Sequence, residues 1–282
     1  MKGRIALCNE VLAPMEFAEQ CVLAAQLGYN GLEVASFTLA ENLDELSVSR
    51  VSALRRAASD AGVSIVGLHW ILARPAGLSI TTTDETVRGQ TISAIRRQIE
   101  LCAQLGGELL VHGSPAQRRL PAVSAGYAEA AAARARAIEM LYGAAEYAGA
   151  AGLVYCLEAL APPNANFVNT LDEAAEIVRD CPHPALRMML DCAAAGLGEQ
   201  KSPAELLDLW LPTGLLAHMQ LNDPNQRGPG QGDLRFAEIF ATLSRHQYQG
   251  WMSVEPFDYY PDARSCSARA IGYVRGLIEA IT

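Results

Sequence analysis

Residues 215–233 read LLAHMQLNDPNQRGPGQGD. The stretch opens as an apolar run of strand type, LLAHM, and then presents His218, Gln220, Asn222 and Asp223 almost together. It closes in a Gly/Pro loop that carries Arg227. A buried strand whose carboxyl end turns polar ahead of a glycine-rich loop has the layout of the working edge of a parallel β/α barrel. Three other apolar runs end in the same manner. VYCLEAL (154–160) delivers Glu158, LRMMLDC (186–192) delivers Asp191, and GWMSVEPF (250–257) delivers Glu255. With Gln220, these make four oxygen-bearing side chains on four successive strand ends, 33, 29 and 35 residues apart.

Working outward, hydrophobic periodicity alternates strand and helix along the whole chain. Strands are expected at 4–10, 31–36, 64–72, 108–114, 154–160, 186–192, 215–221 and 250–257. Helices are expected at 14–27, 46–61, 84–105, 122–150, 171–180, 203–211, 236–246 and 263–281. Glycine punctuation ends several helices (Gly28, Gly62, Gly106), and Pro182 follows the fifth. The strands are runs of Leu, Ile, Val and Met without clean alternation, as expected of strands buried on both faces of a parallel sheet. Eight such units in 282 residues, with no composition break, predict one (β/α)8 barrel domain spanning 1–282; an eight-stranded doubly wound sheet is the structural rival. Long segments follow the strands (73–83, 115–121, 161–169, 222–235), whereas the opposite connections are often a single glycine turn. That asymmetry assigns the chemistry to the carboxyl ends of the strands.

Bulk properties narrow the function. Half the residues are hydrophobic and the formal net charge is −9, so the overall field repels polyanions and nucleic acid is not an expected partner. The seven cysteines show no C-x-x-C spacing and read as small buried hydrophobes of a reducing, cytoplasmic compartment. No apolar run approaches 18 residues, and MKGRIALCNEVL enters a strand too soon for a signal peptide, so no membrane association is expected.

The ordered set GLHW (67–70), LVHGSP (110–115), LEAL (157–160), NFVNTLDEA (166–174), MLDC (189–192), HMQLNDPNQRGPGQGD (218–233) and SVEPF (253–257) resembles the xylose-isomerase-like TIM-barrel sugar isomerase/epimerase superfamily. That superfamily includes ketose 3-epimerases and inosose or hydroxypyruvate isomerases. The resemblance implies that Glu158, Asp191 and Glu255 are metal ligands. It also implies that Gln220 stands where the second histidine of an H-x-H pair usually binds the ion. Arg227 matches a substrate arginine, although the spacing is one residue longer and Gln226 occupies the expected place. Ala194 stands where many epimerases carry a histidine.

Three carboxylates converging on one point raise one another's pKa unless a cation sits among them. The all-oxygen set suits one divalent ion, Mn2+ or alternatively Mg2+ or Co2+, better than Zn2+. Such an ion would polarise the carbonyl of a keto-sugar and stabilise an enediolate, while Glu158 and Glu255 take and return the proton beside it. His69, His112, Asn222 and Arg227 are candidate substrate contacts, and Trp70 a candidate apolar wall. His218 reads as a filler of the barrel or a support for the ligands. Asn166, Asn169 and Asp223 are further hydroxyl partners, whereas Gln117–Arg119 reads as a solvated run. Three rivals remain: a metal-dependent lyase, dehydratase or decarboxylase using the same site, an AP endonuclease, and a metal-free sugar-binding barrel. AP endonucleases of the superfamily hold three zinc ions and need further histidines; Ala194 and Gln220 stand at two of the required places, and the acidic net charge opposes a DNA partner. The expected partner is a small keto-sugar or polyol-derived molecule, and a homo-oligomer is compatible with the chain.

Overall fold

A computed structural model describes residues 3–122, 126–162, 164–181 and 183–281, and its eight strands close into one parallel barrel. They are β1 (Arg4–Cys8), β2 (Gly31–Ala35), β3 (Ser64–His69), β4 (Leu109–His112), β5 (Val154–Glu158), β6 (Leu186–Asp191), β7 (Leu216–Leu221) and β8 (Trp251–Val254). Neighbours in sequence are neighbours in space, and β8 closes on β1 with Ile5 opposite Met252 and Leu7 opposite Val254. A doubly wound sheet would reverse its strand order at a switch point, so that rival is excluded.

The helices are α1 (Phe17–Leu27), α2 (Val48–Ala61), α3 (Glu85–Leu105), α4 (Tyr127–Ala150), α5 (Leu171–Asp180), α6 (Cys192–Gly198), α7 (Pro203–Trp210), α8 (Phe236–Arg245) and α9 (Ala263–Ala280). Local chemistry sets their ends. Ser47 and Asp84 cap α2 and α3 by accepting main-chain N–H groups, and Gly28 and Gly62 stop α1 and α2 in left-handed backbone at φ 98° and 76°. α1 starts at Phe17 instead of Pro14. The expected start of α4 at Ala122 precedes 123–125, which lie outside the described residues, as does Pro182. One helix was not foreseen: α6, a short helix of about two turns after β6, whose N-terminus is capped by the Asp191 side chain. The strands also end sooner than expected, so Trp70 and Glu255 are the first residues of loops.

Burial separates two cores. The larger lies between the barrel wall and the helices and includes Ile5, Leu7, Leu110, Leu157, Met188, Leu190 and Phe240. The smaller consists of the alternate residues Ala6, Val66, Leu109, Val111, Cys156, Met189 and Trp251 and fills the barrel below the site. Gly67 permits the approach of β4, since a Cβ there would lie 2.0 Å from the Leu109 main-chain oxygen. Among the described residues no helix is long and apolar enough to cross a membrane.

Candidate active site

Parity along the strands decides which side chains enter the barrel mouth. Cys156 and Met189 belong to the interior core, so Glu158 and Asp191, two residues further on, face the same way. Asp191 is paired in register with Gln220, and Gln220 with Ser253. Glu158, Asp191, Gln220 and Glu255 line one cavity of about 620 Å³, together with Asn222, His69 and Trp70.

Each of the four is held differently. Glu158 ends β5 beside Gly113, where a Cβ would lie 1.7 Å from Glu158 Oε2. Asp191 Oδ1 accepts from Ala194 N at 2.6 Å, and Oδ2 accepts from Asn222 Nδ2 at 2.6 Å. Gln220 Nε2 donates to Glu33 Oε1 at 2.9 Å, while Gln220 Oε1 is buried with no hydrogen-bond partner among the described residues. Glu255 lies 3.9 Å from His69 Nε2.

The electrostatics are those of a crowded acidic pocket. Burial, then the Asp191 charge, pushes Glu158 up to about 8, with Arg118 opposing. Burial pushes Asp191 up to about 6 against the hydrogen bonds of Ala194 and Asn222. Burial, then Asp191 and Glu158, holds Glu255 well above the usual carboxylate range. Glu33 behaves oppositely: burial would raise it, but His218, His69 and Ser253 together bring it down to about 2. Burial alone would depress His69, yet the carboxylates of Glu10, Glu33 and Glu158 outweigh it and raise its pKa.

The carboxyl oxygens of Glu158, Asp191 and Glu255 and the orphaned amide oxygen of Gln220 form a donor set that fits a hard divalent cation. A second, tighter grouping overlaps it. Ligand atoms of Cys8, Glu10, His69 and Glu255 all lie within 4.8 Å of one another, with His69 Nε2 and Glu10 Oε2 at 2.9 Å.

The remaining expected residues divide. Trp70 lines the cavity at φ 52°, edge-to-face with Phe257 at 6.4 Å. Asn222 lines it too, but its amide is committed to Asp191 and to Ala193 N. His112 is fully buried beside Tyr155, Nδ1 to hydroxyl 2.7 Å, and burial followed by the Arg118 charge lowers it to about 3. It is therefore neutral, and it is not among the cavity-lining residues. Arg227 turns away to Asp258 (2.8 Å) and the Tyr260 ring, and Gln226 lines the cavity in its place at φ 70°. Asn166 and Asn169 bind main-chain groups of the loops, and Asp223 accepts from Asp233 N and Leu234 N. His218 is buried against Glu33, Nε2 to Oε2 2.6 Å, although the angle is poor for a hydrogen bond.

One expectation is overturned. Arg118 is not solvated: it is 1% exposed and donates to the main-chain oxygens of Glu158 and His112, both at 2.6 Å. The exposed neighbour Arg119 is the one that reaches the cavity rim. Sequence reading also passed over Glu33, Glu10 and Cys8. Glu33 had a visible signal, a lone carboxylate inside the apolar strand GLEVA, and it is 0% exposed.

A model of the xylose isomerase-like TIM-barrel family matches residues 21–275. A D-psicose 3-epimerase of Agrobacterium fabrum is 27% identical over 237 residues, 83% of this chain and 76% of that protein. A probable ketose 3-epimerase of a Synechocystis species is 23% identical over 84% of this chain and 77% of its own length. The crystal structure of a D-psicose 3-epimerase with D-tagatose from Clostridium cellulolyticum superimposes with a TM-score of 0.82 at 18% identity, covering 98% of this chain and 99% of that one. With its closed eight-stranded barrel and a family match over nearly its whole length, the chain belongs to the xylose isomerase-like TIM-barrel family.

Proposed function

We propose that this chain is a ketose 3-epimerase that uses Glu158 and Glu255 for proton transfer and holds one divalent cation through Glu158, Asp191, Gln220 and Glu255. The observation that carries the reading is the convergence of three carboxyls with raised pKa on one cavity of substrate size. The names of the two curated relatives support the substrate class. When bound, Mn2+, Mg2+ or Co2+ supplies Lewis-acid polarisation of the ketone oxygen.

The chain's own residues do the rest. Epimerisation needs one carboxylate to remove the proton beside the carbonyl and one carboxylic acid to deliver a proton to the opposite face. Glu158 and Glu255 both line the cavity, so one can take the proton and the other return it, with the roles exchanged for the reverse reaction. Trp70 and Phe257 form an apolar wall for the C–H face of the sugar and displace water from it. Asn222 fixes the Asp191 carboxylate so that it does not rotate away.

The test is proton exchange. Protein loaded with Mn2+ is incubated with a panel of ketoses and inososes in D2O and followed by NMR. The expected result is deuterium at the carbon next to the carbonyl and growth of the C3 epimer. Exchange accompanied by loss of water or carbon dioxide would assign the lyase reading instead. Absence of exchange with every ketose would refute the epimerase.

A further inference from the structure

We infer that Glu33, a residue of β2 on the far side of the barrel, is the positioning residue that orients the Gln220 amide with its oxygen toward the cation. The inference rests on the cation reading above and goes beyond its four ligands. A glutamine side chain has two ends of nearly equal shape, one an oxygen acceptor and the other an NH2 donor. Only the oxygen can bind a cation, so a ligand glutamine free to turn over would spend part of its time presenting the wrong end. An imidazole does not face this choice of element.

In this chain the choice is made from below. Gln220 Nε2 donates to Glu33 Oε1 at 2.9 Å, and the reversed amide would set oxygen against an acceptor-only carboxylate. The other Glu33 oxygen accepts the Ser253 hydroxyl and lies 2.6 Å from His218 Nε2, and His69 Nδ1 stands 3.5 Å from Oε1. The carboxylate is thus hydrogen-bonded from β7 through Gln220 and from β8 through Ser253, with two imidazoles at ion-pair distance. The consequence is visible at the opposite end of the amide, where Gln220 Oε1 is buried with no partner among the described residues, on a side chain that lines the cavity. A buried acceptor with no donor is costly to keep and is relieved by a ligand.

The experiment is a double-mutant cycle on the full chain stripped of metal, read as Mn2+ affinity by electron paramagnetic resonance titration. The variants are Glu33→Gln, Gln220→Ala and the two combined. Glu33→Gln should weaken Mn2+ binding by about 10–100-fold, the usual effect of losing a support behind a ligand. In the Gln220→Ala background the same change should alter affinity less than about threefold, because the group it acts through is gone. An equal loss in both backgrounds, or no loss in either, would overturn the inference while leaving the cation site standing. Failure of the unmodified chain to bind Mn2+ would instead refute the cation reading. If Glu33→Gln does not fold, wild-type protein labelled with 15N-glutamine gives the answer. The Gln220 NH2 pair, identified by its loss in Gln220→Ala, should exchange slowly with solvent before and after Mg2+ is added. Rapid exchange in either state would also overturn the inference.

Discussion

Arg118 Nη1 donates to the main-chain oxygen of Glu158 at 2.6 Å, so a side chain from the loop after β4 fastens the end of β5. Its Nη2 does the same for His112 at 2.6 Å. Arg118→Met would remove both bonds to these buried main-chain oxygens, each loss costing about 1–3 kcal/mol. We expect a stability loss of about 2–6 kcal/mol by urea unfolding, with Arg118→Lys recovering part of it. A loss below about 1 kcal/mol would show that neither bond matters.

Stability should depend on pH with a sign set by the crowded carboxyls. Glu158 and Asp191 sit at about 8 and about 6 when folded, above the 4.5 and 3.8 of ordinary side chains. The folded state therefore binds more protons, and its advantage is complete below about pH 4 and drains away as pH rises toward 8. Glu33, held at about 2, acts in the reverse sense, and its contribution is present above 4.5 and lost toward pH 2. Metal-free protein should accordingly melt at a lower temperature at pH 8 than at pH 6, and saturating Mn2+ should flatten or reverse that slope. A melting temperature independent of pH in metal-free protein would contradict the raised carboxyls.

Glu158→Gln keeps the shape and removes the titrating oxygen. Deuterium incorporation into substrate should fall by about 10²-fold or more, the usual weight of a general acid or base. The circular dichroism spectrum should be unchanged, and metal-free protein should be more stable than wild type at pH 8, because one of the mutually repelling carboxyls is gone. Exchange at the wild-type rate would remove Glu158 from the proton-transfer pair.

Gly113→Ala tests how closely the barrel end is packed around the same carboxylate. The added Cβ would lie 1.7 Å from Glu158 Oε2 and 3.0 Å from its Cδ. The side chain must swing, so the carboxyl leaves its position while the backbone stays. Mn2+ affinity and deuterium exchange should drop together by about 10-fold or more, the scale expected of a displaced reacting group. Unfolding should shift by less than about 2 kcal/mol, because one side chain and not the core has moved. Intact exchange would mean that Glu158 has room the structure does not give it.

Patterns confined to neighbouring residues were legible in the chain. Apolar runs with glycine and proline stops located all eight strands and eight of the nine described α-helices, since those signals act over a few residues. The change from apolar run to polar strand end marked Glu158, Asp191 and Gln220, and the structure places all three on the cavity because side-chain direction alternates along a strand. α6 escaped because its decisive bond, Asp191 Oδ1 to Ala194 N, belongs to a residue already assigned to another task. Arg118 looked solvated because nothing nearby in sequence reveals that two main-chain oxygens, one of them 40 residues away, are waiting for it.

The sequence by itself determined eight β/α units and the strand ends from which their polar groups emerge, because periodicity and turn chemistry are local. Only the tertiary structure decided that Glu33 meets Gln220 across 187 positions of chain, that Arg227 turns away to Asp258, and which carboxyls raise one another. Closure of the ring sets those distances, and electrostatic coupling depends on separation in space, to which separation along the chain gives no guide.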